Sequence, residues 1–217
     1  MIKLNKLVLP DSIINKIEER AASFSKCIAD GVDVPDALAS SYKAKDIKEF
    51  LRRETSDKCA YCESKVPHID HGDVEHILPK SIFPDLRFSY ENLTYACGIC
   101  NTKKGSFYDA GVPLLNPYKD LPEDHLMPVG PMVLRVPTSD RGLLTEKKLD
   151  LNRSDLVERR QERLQAAASL VDQIVRTKNQ TIRAVLREEI AKECLADKEY
   201  SLVVRGYIAS VKSTLDQ

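Results

Sequence analysis

Two cysteine pairs, Cys59-x-x-Cys62 and Cys97-x-x-Cys100, constrain the fold of this chain more than any other feature. A C-x-x-C turn aims two thiolates at one point, and two such turns complete a tetrahedral four-sulfur zinc site. Closing that site pins the chain at both ends of a thirty-four-residue insert. A structural zinc contributes on the order of 10 kcal/mol to folding, which suits a segment poor in apolar residues. A redox-active C-x-x-C normally occurs as one pair at the start of a helix after a strand. Two pairs flanking a polar segment do not have that form. Cys27 and Cys194 stand alone within helical patterns and are expected to be small core residues.

Periodicity organises the rest. Ile13, Ile14, Ile17, Ala21, Phe24 and Ile28 recur at helical spacing, which predicts a helix over Asp11–Ala29 capped by Asp11 or Ser12. Tyr42, Ile47, Phe50 and Leu51 predict a second over Ser41–Thr55. Between Ser56 and Gly105 the pattern changes to short β-type runs, Lys65–Ile69 and Asp73–Leu78, with His71-Gly72 where a hairpin turn would fall. From Gly111 to Pro137 prolines are dense, and interspersed apolar residues predict an ordered loop with short extended pieces. A long helical pattern starts near Asn152-Arg153-Ser154-Asp155, breaks near Lys178–Gln180 and continues to Cys194; Tyr200–Leu215 reads as one more helix. The expected fold is mainly α with a small α+β core. Its expected parts are an N-terminal helical segment (1–55), a knuckle-bearing core (56–110), and a proline-rich wrap with C-terminal helices (111–217), packed as one unit.

Thirty-three basic residues balance thirty-three acidic ones. A protein that lives by gripping nucleic acid usually carries a basic excess. Zero net charge therefore speaks against a stand-alone binder and says little against an enzyme. No apolar run approaches the ~20 residues of a spanning helix. The apolar stretch at the start is too short for a secretory signal, so the expected location is the cytoplasm.

Between the knuckles lies Asp73-Val74-Glu75-His76-Ile77-Leu78-Pro79-Lys80, followed by Glu91-Asn92-Leu93 and Cys97-Gly98-Ile99-Cys100-Asn101-Thr102-Lys103-Lys104-Gly105. The segment resembles the HNH endonuclease motif of the ββα-metal fold, in the branch that carries zinc knuckles. The acidic residue before His76, the Ile and Pro after it, the Asn-Leu, and the nine-residue step from Asn92 to Asn101 all match. The resemblance implies a metal-dependent phosphodiester hydrolase. Such a reaction needs an activated water, a cation for charge developing on phosphate oxygens, and orientation. By this resemblance His76 is the general base, and Glu75 and Asn101 are ligands of a catalytic metal. Asn92 ties loop backbone together and so orients His76. Lys104, and more weakly Lys103 and Lys80, contact substrate phosphate. Cys59, Cys62, Cys97 and Cys100 hold structural zinc. A carboxylate and an amide oxygen are hard ligands, which favours Mg²⁺ or Mn²⁺ at the catalytic site. Many relatives carry Asp or His where this chain has Glu75, a difference that bears on metal preference. His68, His71, Asp73 and His125 receive no role from the motif.

The outer segments Lys80-Ser81-Ile82-Phe83-Pro84, Leu115-Asn116-Pro117, Pro122-Glu123-Asp124-His125, Gly142 and Leu149-Asp150-Leu151-Asn152-Arg153 extend the likeness. They are similar to the HNH nucleases of Septu anti-phage systems and of some retrons. That resemblance implies an ABC-type ATPase partner that restrains the nuclease, with DNA the favoured substrate. The chain carries no G-x-x-x-x-G-K-[ST] loop, so any nucleotide dependence would come from another chain. The C-terminal helices and the proline-rich wrap are the expected partner surface. The alternatives are a stand-alone restriction-type HNH nuclease, an RNA-cleaving (tRNA) enzyme, and a non-catalytic zinc module.

Overall fold

The structure is a computed structural model that describes residues 1–67 and 71–215. His68, and the end of the expected Lys65–Ile69 strand, lie outside the described residues. The chain packs as two compact units. One comprises Leu4–Ala60 and Lys65–Ala110; the other comprises Met1–Lys3, Tyr61–Ser64 and the chain from Gly111 onward.

In the first unit, helix α1 (Asp11–Ala29) buries Ile13 and Ile17, while Ile28 at its far end is exposed. The expected Asp11 or Ser12 cap is not formed. Pro10 occupies the capping position at φ −63°, and no side chain closes the end. Proline has no N–H to leave unsatisfied, and Asp11 within the first turn still meets the positive end of the helix dipole. A short helix α2 (Asp36–Ala39) and a 3-10 turn (Ser41–Lys43) precede helix α3 (Lys45–Glu54), which buries Ile47 and Leu51. The single helix expected over Ser41–Thr55 is thus divided at Ala44, which adopts an extended conformation at φ −53°, ψ 143°.

Strand β1 (Asp73–His76) pairs antiparallel with β2 (Leu93–Ala96), with Asp73 opposite Ala96 and Glu75 opposite Thr94. The expected partner was the run from Lys65, and the structure corrects this: Lys65 bridges Lys58 instead. Pro67, which has no N–H to give to a ladder, follows directly. Gly72, at φ +64°, leads into β1, and a Cβ there would lie 2.4 Å from the Tyr95 ring. Only glycine fits both the left-handed backbone and the close approach. Helix α4 (Gly98–Lys104) follows β2 directly, completing a ββα unit.

In the second unit, β3 (Leu126–Val129) and β4 (Met132–Arg135) form a hairpin around Gly130 at φ +56°. This hairpin supplies the extended pieces of the proline-rich stretch. Helix α5 (Asp140–Lys148) is an element the sequence reading missed. Ser139 caps it by accepting from Gly142 N at 2.9 Å, and a Cβ on Gly142 would fall 2.1 Å from the His125 carbonyl oxygen. Helices α6 (Ser154–Arg176) and α7 (Gln180–Glu193) are separated at Thr177–Asn179, and Asn179 caps α7. With α8 (Ser201–Ser210) and α9 (Lys212–Leu215) they enclose a core of Ala167, Ile174, Ile190 and Val204. Cys194 is half-buried and packs against this core, as expected of a small core residue, while Cys27 is half-buried on α1. No helix among the described residues is long and apolar enough to cross a membrane.

Candidate functional site

The four paired cysteines are buried, and their sulfur atoms lie within 4.8 Å of one another. Tetrahedral zinc with Zn–S of about 2.3 Å places its sulfurs roughly 3.8 Å apart, so the cluster fits such an ion after a small contraction. Ala60 N donates to Tyr95 O at 3.0 Å, which fixes the first knuckle beside β2. Cys62 follows Cys59 on the same turn, so the covalent chain itself sets the position of its thiol. Cys97 caps α4, its sulfur accepting from Cys100 N at 3.5 Å. The second knuckle is therefore also the first turn of the helix that carries Asn101 and Lys104.

A cleft of about 250 Å³ opens over this ββα unit. Tyr42, Asp73, Glu75, His76, Lys80, Asn101 and Lys104 are among the residues that line it. Asp73 and Glu75 are two apart on β1 and share a strand face. Asn101 and Lys104 are three apart on α4 and share a helix face. The two faces meet in two polar rungs. Asn101 Nδ2 donates to Asp73 Oδ2 at 2.8 Å, and Lys104 Nζ pairs with Glu75 Oε1 at 2.7 Å. Lys104 also donates to the His76 carbonyl at 2.7 Å. Burial pushes the Glu75 carboxyl above its usual range, against the opposing pull of Lys104.

His76 ends β1. Its Nε2 lies 2.9 Å from Arg87 O. A carbonyl oxygen only accepts, so Nε2 carries the proton and Nδ1 keeps its lone pair. Burial pulls the imidazole down to about 4, against the raising effect of the Arg87 carbonyl. The ring packs edge-on against Tyr42 with centroids 4.4 Å apart. Lys80 Nζ lies 4.6 Å from the Tyr42 ring centre and donates to the Tyr42 hydroxyl.

Asn92 is buried and grips the loop that leaves β1. Its Oδ1 accepts from Leu78 N at 2.8 Å, and its Nδ2 donates to Leu78 O at 2.9 Å and Leu86 O at 3.4 Å. Its own carbonyl accepts from Ile77 N at 2.8 Å. That loop carries Arg87, whose carbonyl holds His76, so Asn92 and His76 are mechanically connected.

The structure brings together Glu75, His76, Asn92, Asn101, Lys80 and Lys104. It does not bring Lys103, which is on the exposed side of α4, away from the cleft lining. Lys104 is in the cleft wall but only 2% exposed, with its ammonium committed to Glu75 and His76. In this conformation its charge faces the protein interior and is not available to a phosphate. Asp73, Tyr42 and Lys43 line the cleft without a role in the motif; for Asp73 the i,i+2 spacing from Glu75 was the available signal. His71 is exposed and contributes its carbonyl, which accepts from Tyr95 Oη at 3.1 Å. In the second unit His125 Nδ1 lies 2.7 Å from Ser139 Oγ, so it braces the cap of α5. Other outer motifs are braces as well. Asn152 accepts from Val133 N and donates to Val133 O, both at 2.8 Å. Asn116 accepts from Tyr118 N at 2.9 Å.

A ββα unit with a histidine at the strand end, an asparagine on the helix and a four-cysteine cluster is the arrangement of an HNH nuclease domain. Residues 59–107 match that family, described as HNH endonuclease. The chain is also similar to two proteins called Septu protein PtuB. One, from Bacillus thuringiensis, is 37% identical over 81 residues, which covers 37% of this chain and 32% of that protein. The other, from Bacillus mycoides (strain KBAB4), is 28% identical over 116 residues, covering 40% of this chain and 39% of that protein. The matches thus span well under half the length of these curated relatives. The chain carries an HNH endonuclease domain and resembles PtuB.

Proposed function

We propose that this protein is a metal-dependent endonuclease that hydrolyses phosphodiester bonds in nucleic acid, DNA in preference to RNA, as the nuclease subunit of a cytoplasmic anti-phage complex. The observation that carries the chemistry is the His76 tautomer. Its Nε2–H is committed to Arg87 O at 2.9 Å, leaving Nδ1 as a proton acceptor in a cleft that also holds Glu75 and Asn101. The donor set suits a hard divalent cation: a carboxylate from Glu75 and an amide oxygen from Asn101, whose nitrogen is already turned to Asp73. Such a cation, Mg²⁺ or Mn²⁺, would supply charge for the phosphate and leaving oxygens. His76 takes the proton of the attacking water, a contribution of about 10²–10⁴-fold for a positioned base. Asn92 keeps the loop, and through Arg87 the imidazole, in place. Lys80 and Lys43 line the cleft as candidates to meet the phosphate backbone. The four cysteines hold zinc and fix α4.

Resemblance to PtuB supports the defence context, and an ABC-type ATPase is the proposed partner. Zero net charge supports a division of labour in which that partner supplies much of the grip on DNA. The exposed apolar residues Val175, Ile182, Val185 and Leu195 of the C-terminal unit support placing the partner surface there.

The test is cleavage of plasmid, single-stranded DNA and tRNA by zinc-loaded protein in Mg²⁺ and Mn²⁺, with and without the ATPase. We expect DNA cleavage that His76→Ala and Asn101→Ala both abolish. Cleavage of tRNA alone would overturn the substrate, and no cleavage with the ATPase present would leave a zinc-binding module.

A further inference from the structure

Asp73 takes no part in the motif, yet it is bonded to one of the proposed metal ligands. We propose that Asp73 is a positioning residue: it holds the Asn101 amide by its nitrogen and thereby presents the amide oxygen to the divalent cation. This inference rests on the nuclease reading above.

The argument begins with the amide. An asparagine side chain has one accepting end and one donating end, and its terminal torsion is broad and nearly two-fold. Left unrestrained, it would populate both orientations before a cation arrives, and binding would have to select the one that presents the oxygen. Asp73 Oδ2 lies 2.8 Å from Asn101 Nδ2. An ionised carboxylate only accepts, so only the nitrogen can face it. The oxygen is then directed away from Asp73. Both partners sit on regular elements, β1 and α4, and α4 is anchored at its first turn by the cysteine knuckle. The bond also accounts for an amide at position 101. A carboxylate there would meet Asp73 at hydrogen-bonding distance with no donor between them and with like charge on both sides. Glu75, two residues along the same strand face, is held by Lys104 in a parallel way. Each proposed ligand therefore has one partner on the opposite element.

The experiment measures Mn²⁺ affinity by electron paramagnetic resonance on zinc-loaded protein, with zinc content as the control for folding. Asp73→Ala should weaken Mn²⁺ binding by roughly 10–100-fold, the usual effect of removing a group that orients a ligand. Asp73→Asn keeps an accepting oxygen and should stay within about threefold of wild type, clearly below the 10–100-fold loss. Asn101→Asp should bind weakly. The double variant Asp73→Asn/Asn101→Asp should recover much of the loss, because the bond re-forms with the donor on β1. Equal losses in Asp73→Ala and Asp73→Asn would overturn the proposal in favour of direct ligation or plain charge. Wild-type affinity in Asp73→Ala, with cleavage by the wild type intact, would overturn the positioning role alone. A wild-type protein that neither binds Mn²⁺ nor cleaves would remove the nuclease reading and this inference with it.

Discussion

Lys104 carries its charge to a place that solvent barely reaches. Its side chain is 2% exposed, and its ammonium meets the Glu75 carboxylate and the His76 carbonyl, both at 2.7 Å. Taking both charges out of water costs several kcal/mol per ion, which the pair offsets only while it stays intact. Lys104→Ala should therefore destabilise the protein by roughly 3–5 kcal/mol in urea unfolding, through the uncompensated Glu75. Lys104→Met combined with Glu75→Leu should restore most of that stability while abolishing cleavage. A loss of only a few tenths in Lys104→Ala would mean that the pair opens freely to water. At this scale the sequence located residues rather than their partners. The spacing of His76, Asn92 and Asn101 located three residues that the structure does bring to one cleft, or to the loop that shapes it. It could not show the Asp73–Asn101 bond or the burial of Lys104. Both depend on which strand face meets which helix face, and motif spacing carries no information about that alignment.

Helix α4 has seven residues, Gly98–Lys104. A helix so short does not persist in water on its own, because nucleation is costly and few bonds follow. Its position must come from outside: the cysteine cluster anchors its first turn, and the bonds of Asn101 and Lys104 to β1 hold the rest. Cys97→Ser, or removal of zinc with a chelator, should lower zinc content from one per chain and weaken Mn²⁺ binding at Asn101, the residue that follows Cys100 on the same helix. Retained Mn²⁺ affinity in zinc-free protein would show that the sheet alone positions α4. The long helices were legible from their apolar stripes, and the break between α6 and α7 from Lys178–Gln180. Strand β2 was not legible, because all four of its residues are buried and no alternation marks it. Helix α5 was hidden by the prolines before it and by Gly142, which tolerates no side chain against the His125 carbonyl.

Over the whole molecule, acids and bases cancel, so long-range attraction to DNA is weak. The cations lining the cleft are Lys43, Lys80 and Lys104, and the last is internally paired. Two phosphate contacts, from Lys43 and Lys80, correspond to a salt slope of about −2 in log K against log salt. Titrating labelled duplex at several salt concentrations should give that slope for the isolated chain and a steeper one with the ATPase bound. A steep slope for the chain alone would refute the proposed sharing of the grip. The same scale holds a consequence of the Asn92 clamp. The asparagine takes Leu78 by both its backbone groups and reaches Leu86 from the same amide. The chain between those two points can lengthen outward without moving either, as a drawstring holds the mouth of a bag of any depth. Ser81, Ile82, Pro84 and Asp85 there are exposed. Homologues that differ in length at this point can keep the same chemistry, and a short peptide tag inserted after Ile82 has room to leave the cleft undisturbed.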